Sequence, residues 1–85
     1  MELTEIEALL KDKLDLAEVH VRGEGSHYTV IAVSDSFSEM SRVKRQQAVY
    51  APLQDKIADG TMHAISIKTF SEADWQKERQ FHLPQ

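Results

Sequence analysis

The sequence predicts an α+β domain with the element order α-β-β-α-α-β-α: a three-stranded mixed sheet with its helices gathered on one face. Three observations carry this prediction. Apolar residues recur at helical spacing over Ile6, Leu9, Leu10 and Leu14. Two β-type stretches, Val19–Arg22 and Tyr28–Val33, flank a Gly-Glu-Gly turn. A third β-type stretch, Thr61–Phe70, follows only after helical sequence, so its connection to the second strand is a crossover and the sheet is mixed.

The first helix spans Thr4 to Leu14. Thr4-Glu5-Ile6-Glu7 has the form of a capping box, with Glu7 reaching back to the amide of Thr4. Val19-His20-Val21-Arg22 alternates apolar and polar, as a half-buried strand does, and His20 reads as a solvent-facing residue of it. Gly23-Glu24-Gly25 supplies the turn. Tyr28 to Val33 is β-branched and aromatic and apolar on both phases, which marks it as the more central strand.

Ser38 or Ser41 offers a cap for the next helical region. Two overlapping series run through it, Val43-Gln47-Tyr50-Leu53 and Val49-Leu53-Ile57. Pro52 lacks an amide hydrogen and clashes with the preceding turn, so the region divides into a helix near Ser41–Ala48 and another near Pro52–Ala58. Asp59-Gly60 ends it. In the third strand His63, Ile65 and Ile67 share one face, covered by helices with His63 at its rim, and Ala64, Ser66 and Lys68 share the other. Ser71 caps a last helix, with Glu72 and Asp74 in its first turn and Trp75 as its core anchor. Phe81 to Gln85 reads as a frayed tail that includes His82, and Pro84 prevents further helix.

Eighty-five residues make one domain, and a chain this short buries roughly 60% of its unfolded surface or a little more. That leaves one thin core and no room for a deep catalytic cleft. No apolar run approaches the about 18 residues of a membrane span, and the expected location is the cytoplasm. There are no cysteines, which excludes disulfides, a cysteine nucleophile and a thiolate metal site made by this chain alone. The net charge of −4 repels a phosphate backbone on average, so nucleic-acid binding needs a concentrated basic patch. Serine, histidine and aspartate are present, but no serine stands in an elbow or glycine-rich loop, and the chain does not read as an enzyme.

Three stretches, taken together, resemble the BolA-like family. The first is Gly25-Ser26-His27-Tyr28 running into Val30-Ile31-Ala32-Val33-Ser34. The second is Phe37 followed by Arg42-Val43-Lys44-Arg45-Gln46-Gln47-Ala48-Val49-Tyr50. The third is His63-Ala64-Ile65-Ser66-Ile67 with Trp75 after it. The spacing matches from about Leu3 to Arg79. Met40-Ser41-Arg42-Val43-Lys44 and Gln46-Gln47 are similar to the short bacterial YrbA/IbaG branch.

The resemblance implies a class II KH-like fold. It also implies pairing with a monothiol glutaredoxin as a heterodimer, bridged by a 2Fe–2S cluster. The glutaredoxin cysteine and a glutathione thiolate then hold one iron, and this chain supplies ligands to the other. The family's recurring ligand, the histidine opening the third strand, is His63 here. A second ligand in many members is a histidine or cysteine between the first two strands. This chain carries Glu24 about where several relatives have that cysteine, and the nearest imidazole is His27. Glu39 replaces a glycine usual shortly after the phenylalanine, and Val43-Lys44-Arg45 stands where Arg-His-Arg is common. The isolated chain is expected to bind no cluster and to be monomeric.

Each candidate also has a plainer reading. A strand-end histidine is ordinarily a polar rim residue, and His27 reads equally as a packed histidine bonded within the hairpin. The four histidines do not form a compact zinc pattern. Arg42, Lys44 and Arg45 are the one concentrated basic patch. They read as a solvated helix face, as a docking surface for an acidic or glutathione-bearing partner, or as phosphate contacts of a DNA-binding regulator. Tyr50-Ala51-Pro52 at the helix join replaces the Gly-x-x-Gly loop of KH-type nucleic-acid modules.

Overall fold

A strand that is apolar on both phases must be covered on both faces, and the stretch beginning at Tyr28 becomes the middle of the sheet. The computed structural model describes residues 3–25, 27–60 and 64–82. Its elements are α1 (Leu3–Lys13), β1 (Glu18–Glu24), β2 (His27–Val33), α2 (Arg42–Tyr50), α3 (Gln54–Ala58), β3 (Ala64–Phe70) and α4 (Glu72–His82). Turns of 3₁₀ helix occupy Asp35–Glu39 and Ala51–Leu53. The sheet order is β1-β2-β3, with β1 antiparallel and β3 parallel to β2. The expected α+β class, element order and mixed sheet are all present.

On one face Val19, Val21, Tyr28, Val30 and Ala32 pack beneath Ile6 and Leu10 of α1, Phe37, Val49 of α2 and Leu53. Leu9, Leu14, Ile57, Ile65 and Ile67 pack against this cluster. On the opposite face Ile31 and Val33 pack with Trp75, and Phe70 lies against them. The helices are therefore not all on one face: α1, α2 and α3 cover the first, and α4 crosses the second. The physical reason lies in β2 itself. Ile31 and Val33 point away from α1, and leaving them in water would forfeit about 1.5–3 kcal/mol each. Trp75, with no exposed surface, closes over them.

That crossing changes three local readings. His20 does not face open solvent; its ring stacks on Trp75 at 5.5 Å, and its Nε2 lies 3.2 Å from Glu18 Oε1. His82 is not part of a frayed tail. It belongs to the last turn of α4, with its ring 5.3 Å from Phe70 and 6.2 Å from Trp75. Phe81 is also helical, though its side chain is exposed, and residues 83–85 lie outside the described segments.

Two further differences are local. Glu7 does not close a capping box: its Oε2 accepts from the Val21 amide at 3.2 Å, tying α1 to β1. Of the two helical series, Val49 and Leu53 are fully buried, whereas Val43 is 64% exposed and Tyr50 39% exposed. Pro52 breaks the helical region where expected, with a 3₁₀ turn between α2 and α3, and Ser41 caps α2 by accepting from Lys44 N–H at 3.3 Å. Gly60 adopts φ +86 after α3, which a residue with a Cβ would adopt only under strain.

Trp75 fills the second core, yet its indole N–H is buried with no hydrogen-bond partner among the described residues. Trp75→Ala is expected to lower unfolding stability by about 3–5 kcal/mol. Trp75→Phe, which keeps much of the ring and removes the unpaired donor, should cost clearly less. Urea unfolding of both variants checks this, with the exposed Phe81→Ala as a reference expected to change stability by no more than about 0.5 kcal/mol.

Candidate functional site

The second face of the sheet is only half covered. α4 lies over the end that carries Val33 and Phe70 and stops at His82, where the Arg22 guanidinium donates to the His82 carbonyl. Among the described residues, no element covers the other end of the face. Register places Glu24 opposite His27 on one side and Ala64 opposite His27 on the other. Arg22, Gly23, Glu24, His27 and Thr29 line a shallow depression of about 220 Å³ there.

His27 opens β2 and is exposed. Its Nε2 lies 3.4 Å from Ser66 Oγ, a contact at the weak limit of hydrogen bonding that leaves the ring open to a stronger partner. Ser66 occupies a regular ladder position opposite Thr29, so this pair lacks the strained elbow that exposes and activates a serine nucleophile. His63, the first-choice ligand from the sequence, lies outside the described residues. Ala64, the next residue in the chain, is the register partner of His27.

The basic residues divide. Arg42 and Arg45, three apart on α2, line one depression of about 270 Å³ together with Gln46 and residues 67–70 of β3. Arg45 is fixed there by its Nε donating to the Met40 carbonyl at 3.2 Å. Lys44 is exposed but does not line it; its backbone amide serves the cap at Ser41.

Comparison with known proteins decides the family. A model described as BolA-like protein matches residues 2–74. The acid stress protein IbaG of Escherichia coli K12 is 51% identical over 82 residues, covering 96% of this chain and 98% of that protein. The chain belongs to the BolA-like family. The solution structure of mouse BolA1 superposes with a TM-score of 0.79 at 28% identity, covering 98% of this chain and 75% of that one. A Vibrio cholerae protein named DNA-binding transcriptional regulator BolA is 36% identical over 59 residues, 69% of this chain and 55% of that protein.

In this BolA-like chain the structure adds residues that the sequence did not single out. Gln46 and residues 67–70 of β3 join Arg42 and Arg45 around one depression, with the Lys68 ammonium itself directed to His82 Nδ1 at 3.5 Å, and Arg22 joins Glu24 and His27 around another. The pattern of β3 put Lys68 on a strand, but nothing in it showed that α2 would lie alongside. Among the described residues no group of three or more histidine, aspartate or glutamate side chains could hold a metal ion. No described helix is long and apolar enough to cross a membrane.

Near the start of α4, Asp35 Oδ1 accepts from the Glu72 amide at 3.0 Å. Asp35 also raises the pKa of Glu72, first through a side-chain hydrogen bond and then by its charge, with smaller effects from desolvation and Glu18. Folding thus favours the protonated form of Glu72. This contribution to stability is full in acid and is lost as pH rises through the raised value. Glu72→Gln, which keeps a neutral hydrogen-bonding partner, is expected to be more stable than the parent protein at neutral pH. The difference should shrink as pH falls through the titration of Glu72. Urea midpoints measured across pH 3 to 7 (about the carboxylate range and above) check this.

Proposed function

We propose that this BolA-like protein is an accessory of iron–sulfur cluster assembly, transfer or sensing. In this reading it pairs with a monothiol glutaredoxin and supplies histidine ligation to a 2Fe–2S cluster shared with that partner and glutathione. The observation that carries the reading is His27: an exposed imidazole at the uncovered end of the sheet, weakly engaged with Ser66, beside a strand whose preceding residue is His63. Neutral imidazole is a good borderline ligand for iron.

The donor chemistry of the chain fits half of such a site. With no cysteine, it brings nitrogen and oxygen donors only, and the sulfur ligands come from the partner and glutathione. His63 and His27 are the proposed nitrogen ligands. Glu24, opposite His27, offers a carboxylate where several relatives carry a cysteine. Protonation removes an imidazole ligand, so histidine ligation would make the shared site sensitive to pH.

Visible absorption and circular dichroism of cluster-loaded monothiol glutaredoxin with glutathione are expected to change when the protein is added. His63→Ala should abolish the change, and His27→Ala should reduce or alter it. An unchanged spectrum with the parent protein overturns the reading; an identical change with His63→Ala removes that ligand.

A second reading, DNA binding, is favoured by one observation: Arg42 and Arg45 line a single depression beside β3. It also draws on the name of the Vibrio cholerae relative. The chain's overall negative charge and the Tyr50-Ala51-Pro52 join weigh against it. If DNA is bound there, affinity falls steeply with salt, and Arg45→Ala flattens the slope by about 1. Lys44→Ala, outside the depression, should change the slope less. Titration of labelled duplex DNA at several salt concentrations checks this, and no binding at low salt removes the reading.

A further inference from the structure

β3 is an edge strand. It pairs with β2 on one side and with no other strand among the described residues. The Ser34 amide donates to the Phe70 carbonyl, so Phe70 turns its polar backbone groups towards β2. The Ile67 carbonyl instead accepts from the Gln46 side chain at 2.9 Å. By strand alternation, Ile65, Ile67 and Thr69 direct their backbone groups outward, along the side where α2 lies.

Two depressions meet at this edge and share Gln46 and Ile67. One, of about 450 Å³, is lined by Gln46, Gln47, Tyr50, Ala51, Gln54 and Ile67. The other, of about 270 Å³, carries Arg42 and Arg45 beside residues 67–70 of β3. Together they form one channel along the edge, apolar and amide-lined at one end and basic at the other. The ion pairs found among the described residues join histidines to glutamates elsewhere, at His20–Glu18 and His82–Glu78. In a chain of net charge −4, this channel end is a local concentration of positive charge.

The geometry points to an interaction site for an extended peptide segment of a partner protein. The segment would add as a strand to β3, with apolar residues against Tyr50 and Ile67 and carboxylates against Arg42 and Arg45. Strand addition uses the outward N–H and C=O groups of Ile65 and Thr69 for affinity, the Ile67 carbonyl being held by Gln46, and the flanking depressions for selection. Acidic side chains complete charge-assisted pairs with the guanidinium groups. A single nucleic-acid strand is the competing occupant. It is disfavoured by the overall charge and by Pro52 at the helix join, where a glycine-rich loop would otherwise admit a phosphate backbone. Each edge already carries one side-chain bond, Glu7 with the Val21 amide on β1 and Gln46 with the Ile67 carbonyl on β3, and it is the flanking depressions that set the β3 edge apart. The site is separate from the His27 end of the second face and does not depend on cluster binding.

The test uses fluorescein-labelled synthetic peptides as long as the seven residues of β3. They carry valine and isoleucine in one half and glutamate in the other, in both orders. Controls have lysine for glutamate or N-methylated alternate amides, and oligothymidylate is the nucleic-acid arm. Fluorescence anisotropy should show one acidic order binding about tenfold or more tighter than its lysine counterpart. Arg42→Glu with Arg45→Glu should lower that affinity about tenfold. N-methylation should abolish binding, and bound peptide should slow amide exchange at Ile65 and Thr69. Tyr50→Ala, at an exposed position, should weaken binding while leaving the fold intact. No binding of either acidic order, equal binding of the lysine peptide, or indifference to N-methylation overturns the proposal. Tighter binding of oligothymidylate at the same arginines assigns the channel to nucleic acid instead. Because the cluster experiment monitors His63 and His27, either proposal can fail while the other stands.

Discussion

Burial of β2 on both faces is the constraint on which the rest of the structure depends. Val30, Ile31, Ala32 and Val33 are each no more than 2% exposed, and consecutive residues of a strand cannot all be buried by one layer of helices. One face needs α1, α2 and α3. The other needs α4, anchored by Trp75. A domain of this size has little apolar surface to spare, so the second layer is a single helix of 11 residues. It reaches across only one end of the sheet. The open end, with His27, Glu24 and Arg22, is what one helix cannot cover.

Much of this was legible before the structure. The strand phases, the Pro52 break and the parallel crossover to β3 follow from local chemistry and came out as read, and of the two serines offered as caps it is Ser41 that serves α2. The side of the sheet taken by α4 did not, although the information was present. Ile31 and Val33 on the second phase of β2 already required a cover, and Trp75 was the largest apolar side chain left to provide it. Once α4 is assigned to that face, the environments of His20 and His82 follow, because both flank Trp75. Glu7 was misread for a different reason. Its capping role is a local pattern, and it lost to a long-range acceptor position opposite the outward amide of Val21. Local signals fail where a tertiary contact offers the same group a better-placed partner.

The candidate site was legible only as residue types. Sequence patterns named His27, Arg42, Lys44 and Arg45, but pairing and packing decide which neighbours they have. Hairpin register puts Glu24 across from His27, and the approach of α2 to β3 brings Arg42, Arg45 and Gln46 alongside residues 67–70. The same approach separates Lys44 from its sequence neighbours, because residues one and two apart on a helix point in different directions. A run of charges in sequence is thus not a patch in space. His63 itself lies outside the described residues, and His27, the register partner of Ala64, bears the structural part of the ligand argument.

The two ends of the domain divide its possible work in a way that follows from the sheet. The edges of a small sheet are polar and unsatisfied unless something covers them, whereas its uncovered faces are flat and carry only side chains. The β3 edge, with amides directed outward and basic and apolar depressions beside it, suits a partner that contributes backbone. The open face at His27 presents side-chain groups instead, the imidazole with Glu24 and Arg22 beside it. A partner strand on the edge and a ligand on the face would use different groups. Both surfaces nevertheless belong to the same rigid strand pair, since His27 and Val33 are the first and last residues of β2 and pair with Ala64 and Phe70. Under the two proposals together, a protein seated along β3 would lie beside the His27 face, and the edge would orient whatever that face receives.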